Sequence, residues 1–428
     1  MKITKEVKKL VSEIESKKII KYIRKIPKIF YDEPSCYFFI SELNHKTSYY
    51  LEKNYILSKN LKEEVGAGIS FQSEYLAFLK SLSEAVERFS LLTYHKSALY
   101  KLNYYDLKSK TIDISSYIFN KIDVKNLYFI RGINLTDSDL CYIPAQLVYL
   151  GKIDPKVINT GIITSTGAAA GFDKKVTLLK GIYEIIERDC FMSIFYNKIS
   201  APRILFNSLK NKKIQNLKNL CDRYKIEVAT FDITNDLGIP SFLTLLIDIT
   251  GIGPALSAGI KSGLNIFDAI YGSIEEAFIS RIKMRFYVYK NKITKINLSI
   301  KDIKNHIDRG LYYYKKEKIK KIEWLLNNKN FVPIKKEYLE NINLSPNKQL
   351  KYLINKLKDK GLKIYYCDIT LPNFKKINFH VLKVIIPNLQ LMHINENYKF
   401  INKKRMLKVL KYFGLNKKKF FNKLPHFF

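Results

Sequence analysis

The sequence predicts a fold of the α+β class (mixed α/β), with mixed β-sheets and long helices. Three long amphipathic helices and several short apolar strands follow one another without a regular βαβ order. Of the 428 residues, 47% are apolar, so the chain can bury a large core and wholesale disorder is excluded.

The elements follow from the spacing of apolar residues. Residues 1–30 predict a basic amphipathic helix, which breaks at Asp-Glu-Pro-Ser over 32–35. The later elements are, in chain order, a helix over 69–94, a strand over 142–149, a helix over 176–196, a strand over 242–249, a helix over 267–289, and strands over 364–369 and 381–386.

Three regions describe the expected organisation. Residues 1–60 form an N-terminal helical segment, and residues 61–428 form the main domain. Within it, the Lys-rich and mostly helical stretch 290–362 is the best candidate for an insertion or subdomain.

The net charge of +35 allows two interpretations. One is a polyanionic partner such as nucleic acid or an anionic membrane surface. The other is a bias of composition, which we favour because only ten of the 74 basic residues are Arg. Nucleic-acid surfaces use the planar, bidentate guanidinium more than this. A basic nucleic-acid-binding protein remains the alternative from another functional class.

The five cysteines are scattered, with no CxxC motif, which predicts no structural zinc site and fits a reducing cytoplasm. The N-terminus has no apolar stretch of signal-peptide type. No apolar run approaches the length of a membrane span. A cytoplasmic location without a membrane span is therefore expected.

Two of the predicted helices carry the same motif, Glu-x-x-Glu-Arg. It reads SEAVER over 83–88 and YEIIER over 183–188. Two glutamates three residues apart lie on one helix face, about one turn from each other. Such a pair supplies the carboxylate oxygens that Mg²⁺ prefers. Because one such motif is common on solvated helices, the prediction depends on its being doubled.

A turn of small residues precedes each motif. The sequence reads GAGIS over 66–70 and STGAAAG over 165–171. Small-residue turns that lead into a helix expose backbone N–H groups, and a helix N-terminus favours anions. Neither turn matches GxxxxGK[ST] or GxGxxG, so a Walker-type ATPase is not indicated.

These segments together resemble the YcaO family. SLSEAVERFS over 81–90 and the stretch 165–190 are similar to its two ATP-binding segments, and IEEAFISR over 274–281 is a looser match to a third. The stretch 365–393 resembles the closing strands of the domain. The likeness runs from about residue 66 to the C-terminus, in an order most similar to the D-proteins that modify ribosomal peptides.

The resemblance implies ATP and Mg²⁺ as cofactors and assigns roles to individual positions. The implied metal ligands are Glu84, Glu87, Glu184 and Glu187. The implied contacts with ATP are Ser70, Arg88, Ser165, Thr166, Arg188, Glu276 and Arg281. Peptide-modifying members often end in a Pro-rich tail that reaches the active site. This chain ends in LPHFF without alternating prolines, and the resemblance implies catalytic roles for Pro425, His426 and Phe428.

The implied reaction is the ATP-dependent cyclodehydration of a ribosomally made precursor peptide, as in thiazole/oxazole-modified microcin, bacteriocin or toxin maturation. A Cys, Ser or Thr side chain attacks the preceding amide carbonyl, whose oxygen is phosphorylated and leaves as phosphate, giving a thiazoline or oxazoline. A related enzyme that forms a thioamide or amidine is the nearest alternative. The implied partners are the precursor peptide, a leader-binding protein of the C-protein type and a second copy of the chain, with no nucleic acid.

Overall fold

The structure, a computed structural model, describes residues 3–44, 55–57, 65–107, 110–114, 127–151, 153, 164–327, 330–416 and 422–428. Helices and strands alternate irregularly in these ranges, and the predicted mixed α+β fold is confirmed. The helices are α1 Lys5–Ser16, α2 Glu74–Leu92, α3 Tyr104–Leu107, α4 Ala145–Val148, α5 Lys174–Asn197, α6 Lys212–Arg223, α7 Ile266–Lys290, α8 His306–Tyr312, α9 Glu323–Leu326, α10 Pro346–Lys358, α11 Pro372–Lys376 and α12 Lys403–Tyr412.

The strands are short, and most of them pair antiparallel. They are β1 Ile20–Lys25, β2 Tyr37–Leu43, β3 Tyr55–Leu57, β4 Val65–Ser70, β5 Thr93–His95, β6 Tyr100–Leu102, β7 Leu127–Asn134, β8 Asp139–Pro144, β9 Ala168–Gly171, β10 Arg203–Ile204, β11 Ile226–Asp232, β12 Ser241–Asp248, β13 Leu256–Ser262, β14 Phe331–Val332, β15 Tyr365–Asp368 and β16 His380–Ile385.

The chain forms two compact units. The first unit comprises Met1–Ile29, Cys36–Ile185 and Pro346–Asn388, and the second comprises Phe30–Ser35, Ile186–Ser345 and Leu389–Phe428. These boundaries differ from the expected division after residue 60, and they assign the Lys-rich stretch 290–362 partly to each unit.

The first unit contains two main sheets. One has the strand order β1-β2-β4, and the other has the order β6-β7-β15-β16-β9, with β8 paired to β7. Strands β4 and β9 therefore lie at sheet edges, and each is followed along the chain by a long helix, α2 or α5.

The second unit is built on one sheet with the order β13-β12-β11-β10-β14. Strand β12 is buried along its whole length, as the apolar run over 242–249 predicts. Strand β13 lies at the sheet edge and leads into α7. The two units thus share one arrangement, in which an edge strand precedes a long helix.

Two predicted elements are corrected. The N-terminal helix covers Lys5–Ser16 only, since Lys18 adopts a φ of 49° that a helix cannot continue, and β1 follows. The predicted strand over 142–149 ends at Pro144, which has no N–H to extend the pairing, and Ala145–Val148 is helical.

Candidate functional site

Helix α2 packs directly against edge strand β4 and presents Glu84 to it. The backbone N–H of Ala67 donates to Glu84 Oε2 over 2.9 Å. Since no further strand of the described residues lies beside β4, this carboxylate satisfies a donor that the sheet leaves free. Arg88 NH2 donates to the other oxygen of Glu84 over 3.3 Å. Both oxygens of the first motif glutamate are thereby oriented.

Glycine makes this close packing of helix on strand possible. A Cβ on Gly68 would lie 1.9 Å from the carbonyl oxygen of Ala77, and one on Gly66 would lie 2.3 Å from that of Ser81. No side chain fits at these distances, so the small residues in GAGIS bring the strand N–H groups within reach of the helix.

The same contact recurs at the second motif. The N–H of Gly167, immediately before edge strand β9, donates to Glu184 Oε2 over 3.0 Å. In both cases the donor precedes its glutamate by 17 residues. The first small-residue stretch, GAGIS, is therefore strand β4 and not the predicted turn, whereas Gly167 lies in a turn before β9, and each stretch holds one glutamate through a backbone N–H.

A third copy of this contact lies in the second unit. The N–H of Ile260 on edge strand β13 donates to Glu276 Oε2 on α7 over 3.0 Å, across 16 residues. Two residues further along β13, the N–H of Ser262 donates to Glu187 Oε2 over 3.1 Å. Lys261 places its Nζ 3.9 Å from the same Glu187 oxygen. Sequence reasoning missed β13 as a partner, although SAGIKS over 257–262 repeats the small-residue pattern of the first turn.

In the first unit, three of the predicted metal ligands influence one another. Burial, helped by the carboxylates of Glu184 and Glu84, raises the pKa of Glu87 to about 8 against the lowering effects of Arg88 and Lys383. The local environment thus disfavours one more negative charge. Clustered carboxylate oxygens in this situation are suited to a divalent cation such as Mg²⁺, which would relieve their repulsion. The fourth predicted ligand, Glu187, belongs to the second unit and is 2% exposed.

The structure adds Lys383 to this cluster. It lies on β16, is buried, and donates from Nζ to the carbonyl oxygens of Thr164 and Thr166. Burial lowers its pKa to about 8, while Glu184 and Glu87 act to raise it. The available sequence signal was a single lysine within the apolar strand HVLKVI, which the sequence analysis did not single out.

Of the predicted ATP contacts, Ser70 is the last residue of β4, and Ser165 and Thr166 lie in the turn before β9. Ser70 is buried, and its Oγ accepts from the N–H groups of Gln72 and Ser73, where α2 begins. The carbonyl of Ser165 accepts from Ala168 N over 2.8 Å. These contacts fix the shape of the two turns, and binding of ATP there stays a prediction.

Arg188 follows the second motif and lies in the second unit. Its NH2 is 4.0 Å from Glu276 Oε1, its NH1 donates to Met392 Sδ over 3.0 Å, and its guanidinium lies 5.5 Å from the ring centre of Phe428. The C-terminal residue predicted as catalytic and the arginine predicted to contact ATP are therefore neighbours in this unit.

Arg281 occupies a different setting, since it is buried among acidic groups of the second unit. It donates to both carboxylate oxygens of Glu33 over 2.9 Å, to Asp248 Oδ2 over 2.7 Å and to the carbonyl of Pro254 over 3.0 Å. Its guanidinium holds three chain segments together in this structure, and a contact with ATP stays a prediction.

The C-terminal segment is anchored inside the second unit. Asn422 N donates to the carbonyl of Tyr196 over 2.8 Å, and the hydroxyl of Tyr313 donates to the carbonyl of Pro425. His426 is buried; its Nε2 bonds the carbonyl of His393 over 2.7 Å, and its Nδ1 accepts from Phe428 N over 3.2 Å. The chain end is therefore held at a defined position without alternating prolines.

His393, Glu396 and His426 place possible ligand atoms within 4.8 Å of one another, all of them buried. Each already has protein partners, however. Arg309 donates to Glu396 Oε1, and the Nδ1 of His393 bonds the hydroxyl of Tyr196 over 3.1 Å. A guanidinium on the carboxylate would oppose a cation there, so we interpret the cluster as the support of the C-terminal segment.

Both the sequence and the fold are similar to those of known proteins. A family model described as YcaO cyclodehydratase, ATP- and Mg²⁺-binding, matches residues 72–390. A heterocyclase in complex with substrate and cofactor is similar with a TM-score of 0.73 and 17% identity, over 95% of this chain and 55% of the other. The chain thus spans about half the length of that heterocyclase.

Two further structures match over nearly their whole length. YcaO from Methanopyrus kandleri, bound with AMPPCP and Mg²⁺, has a TM-score of 0.64 and 13% identity, over 90% of this chain and 91% of the other. The E. coli microcin synthetase McbBCD complex has a TM-score of 0.59 and 15% identity, over 89% and 90%. At these identities the likeness shows a shared fold.

A search of the described residues finds no helix with the length and hydropathy that a membrane crossing requires. The cofactors predicted from the motifs, ATP and Mg²⁺, are those that the matched family binds. Because this family model matches well over half of the sequence, the chain belongs to the YcaO family.

Proposed function

We propose that this protein is an ATP-dependent cyclodehydratase that converts Cys, Ser or Thr residues of a precursor peptide to azolines. The observation that carries the proposal is the cluster of Glu84, Glu87 and Glu184, in which Glu87 has a pKa raised to about 8. Two of these glutamates accept a hydrogen bond from a backbone N–H, that of Ala67 on β4 or that of Gly167 before β9, which orients their carboxylates. The family description supports both the cofactors and the reaction class.

In the proposed mechanism, the protein binds and orients Mg-ATP and the substrate peptide, and the reacting groups belong to the peptide and ATP. A substrate side chain attacks the preceding carbonyl carbon, and the former amide oxygen accepts a phosphoryl group. The C–O bond then breaks as the former amide nitrogen loses its proton and forms a C=N bond, so the oxygen leaves as phosphate and the azoline is complete. Glu84, Glu87 and Glu184 would hold Mg²⁺, which would supply positive charge next to the transferring phosphoryl group. The oxygen is a poor leaving group until it is phosphorylated, which is why the reaction needs ATP.

The residues have distinct proposed tasks. In the first unit, the metal ligands are Glu84, Glu87 and Glu184. Arg88 orients Glu84 and also contacts the phosphates of ATP. In the second unit, Glu187 is the fourth proposed metal ligand. We propose further contacts with ATP from Ser70, Ser165, Thr166, Arg188, Glu276 and Arg281.

The C-terminal residue is the proposed catalytic group of the second unit. Phe428 lies beside Arg188, and buried hydrogen bonds fix Pro425 and His426 just before it. Removal of Phe428 alone should lower turnover at least tenfold while leaving ATP binding intact, because it deletes a positioned group and no proposed nucleotide ligand. Equal turnover with and without Phe428 would remove it from the mechanism.

We also propose that the protein works with a leader-binding protein and a precursor peptide, and that it forms a homodimer in that assembly. The similar microcin synthetase is a complex, McbBCD, which has also been solved with pro-MccB17 bound. Co-purification with the partner, followed by light scattering, measures the composition of the assembly.

The decisive experiment is mass spectrometry of a Cys/Ser/Thr-rich peptide encoded beside this protein. Incubation with the protein, its partner and Mg-ATP should remove one water mass per ring and release one phosphate for each water lost. Glu184→Gln should abolish the loss of mass, because the metal cluster loses a charged ligand. Glu74→Gln is a matched control, since Glu74 lies on α2 but pairs with exposed Lys25.

The outcome also separates the alternatives. A mass change that requires added sulfide or amine would instead assign the thioamide or amidine reaction. Steep salt-dependent binding of RNA or DNA, with no ATP-dependent change in any peptide, would favour the nucleic-acid-binding alternative. Retained cyclodehydration by Glu184→Gln would overturn the assignment of the metal ligands.

A further inference from the structure

Lys383 is a buried amine without a role in the predicted site. Its residue is 3% exposed, at the centre of β16, where its backbone pairs with Ala168 of β9 and Cys367 of β15. The Nζ atom donates to two carbonyl oxygens, those of Thr164 and Thr166, at 2.7 Å each. Ammonium groups are seldom buried to this extent unless they have specific partners.

These two bonds hold the turn before β9. The turn is also tied to β16 by the N–H of Val384, which donates to the carbonyl of Gly167 over 2.7 Å. Gly167 has a φ of 84°, and its own N–H donates to Glu184. The conformation of the turn therefore decides where one predicted metal ligand is held, and Lys383 fixes the turn from the other side.

Lys383 also acts on the carboxylates by its charge. Glu184 and Glu87 favour its charged form, and in return it stabilises the ionised form of Glu87. A positive charge at this place attracts the glutamates toward one another, but it repels an incoming divalent cation. The two effects are separable because one concerns the shape of a turn and the other concerns metal affinity.

We propose that Lys383 is a positioning residue of the Mg-ATP site, which fixes the turn over 164–167 and serves as the resident counter-ion of the carboxylate cluster around Glu184. The inference rests on the proposed function, in that this cluster is taken to bind the metal. In the protein without metal, the Lys383 ammonium group preorganises the carboxylates and weakens their affinity for free Mg²⁺. Binding of Mg²⁺ is thereby biased toward the complex with ATP, whose phosphates bring additional negative charge.

The test measures metal binding and nucleotide binding separately in the full-length protein. Mn²⁺ binding without nucleotide is followed by electron paramagnetic resonance, and the KM for Mg-ATP is taken from phosphate release. Lys383→Met should bind Mn²⁺ about tenfold more tightly, because a repelling charge is lost, while its KM for Mg-ATP rises about tenfold, because the turn is loosened. If Lys383 had only a structural role, Lys383→Met would bind Mn²⁺ no more tightly than the wild type does, whatever its KM for Mg-ATP.

Two variants complete the design. Lys383→Arg keeps the positive charge and donors, so its Mn²⁺ affinity should stay near that of the wild type. Lys360→Met removes an exposed lysine of the same unit and should change neither quantity. If Lys383→Met does not fold by circular dichroism, Lys383→Gln replaces it, because its amide can still donate to the two carbonyls without the charge.

The results distinguish this inference from the proposed function. Unchanged or weaker Mn²⁺ binding by a folded Lys383→Met or Lys383→Gln variant overturns the counter-ion role, and an unchanged KM for Mg-ATP in Lys383→Met overturns the turn role. Failure of the wild type to bind both Mn²⁺ and Mg-ATP would instead contradict the proposed function itself.

Discussion

Replacing Arg309 tests whether the buried network of the second unit supports the C-terminal segment. The side chains of Arg309 and Glu396 are 0% and 1% exposed. Arg309 donates to Glu396 and to the backbone carbonyls of Ile394, His393 and His426. Arg309→Met keeps much of the volume, but it leaves the Glu396 charge and three carbonyls without this donor.

The expected cost follows from burial. Removing one partner of a buried ion pair typically destabilises a protein by ~3–5 kcal/mol, because the remaining charge stays buried. Arg203→Met is the matched control in the same unit. Arg203 pairs with Glu227 at 2.7 Å, but that glutamate side chain is 45% exposed, and exposed pairs contribute only ~0.2–1 kcal/mol.

The assay uses the single tryptophan of the chain. Trp324 lies on α9 in the second unit, with its ring 6.1 Å from that of Phe195, so its fluorescence during urea unfolding reports on this unit. The free energy of unfolding should fall several times more for Arg309→Met than for Arg203→Met. The double variant Arg309→Met/Glu396→Gln should recover part of the loss, since the buried Glu396 charge is removed and only the half-buried Lys399, 2.8 Å from Glu396 Oε2, loses its partner. Similar losses for both single variants, within about 1 kcal/mol, would refute the reasoning.

Two further predictions concern packing and pH. Gly68→Ala should destabilise the first unit by ~2 kcal/mol or more in calorimetry, because its Cβ would lie 1.9 Å from a backbone oxygen. The control is Gly272→Ala on α7, which should be neutral or stabilising because its Cβ would contact only the flexible Lys261 side chain, at 3.4 Å. Equal effects of the two substitutions on stability would contradict the packing argument. Burial acts to raise the pKa of Glu396, but His393 and Arg309 outweigh it and lower the value from 4.5 to about 2. The folded-state pKa is thus depressed, so this stabilisation is complete above pH ~4.5 and is lost as pH falls toward 2. Trp324 fluorescence should show a steeper loss of stability in that range for the wild type than for Glu396→Gln, and parallel pH profiles would exclude the effect.

Long elements were predictable because their periodicity extends over many residues. The helices predicted over 176–196 and 267–289 correspond to α5 and α7 within a few residues. The strand predicted over 142–149 was wrong in its second half, because a short apolar run does not distinguish a strand from one helical turn. Pro144 was the available local signal, and the sequence analysis did not use it.

The candidate site was predictable where its residues lie close together in sequence. Glu84 and Glu87, and likewise Glu184, were identified from spacing and from the small-residue turns before them. Lys383 could not be identified in this way, because it reaches the turn over 164–166 from more than two hundred residues away. The electrostatic interaction between Lys383 and the glutamates depends on their distances in space, which their separation along the sequence does not determine.

Arg281 illustrates the opposite case. Its place in a family motif predicts a contact with ATP, whereas in the structure Glu33, Asp248 and Pro254 accept hydrogen bonds from its guanidinium. Glu33 lies near the start of the chain and Asp248 ends strand β12, so no local pattern around Arg281 indicates these partners. Local sequence thus predicts the type of a side chain better than it predicts its partners.

By itself, the sequence determined the fold class, the family and the glutamates that suit Mg²⁺, because periodicity, small-residue turns and the repeated motif are properties of contiguous segments. Only the tertiary structure decided which backbone N–H holds each glutamate, that Lys383 donates to the carbonyls of Thr164 and Thr166, and that buried hydrogen bonds anchor the C-terminal segment. The physical reason is that hydrogen bonds and charges act over a few ångströms in space, whatever the separation along the chain.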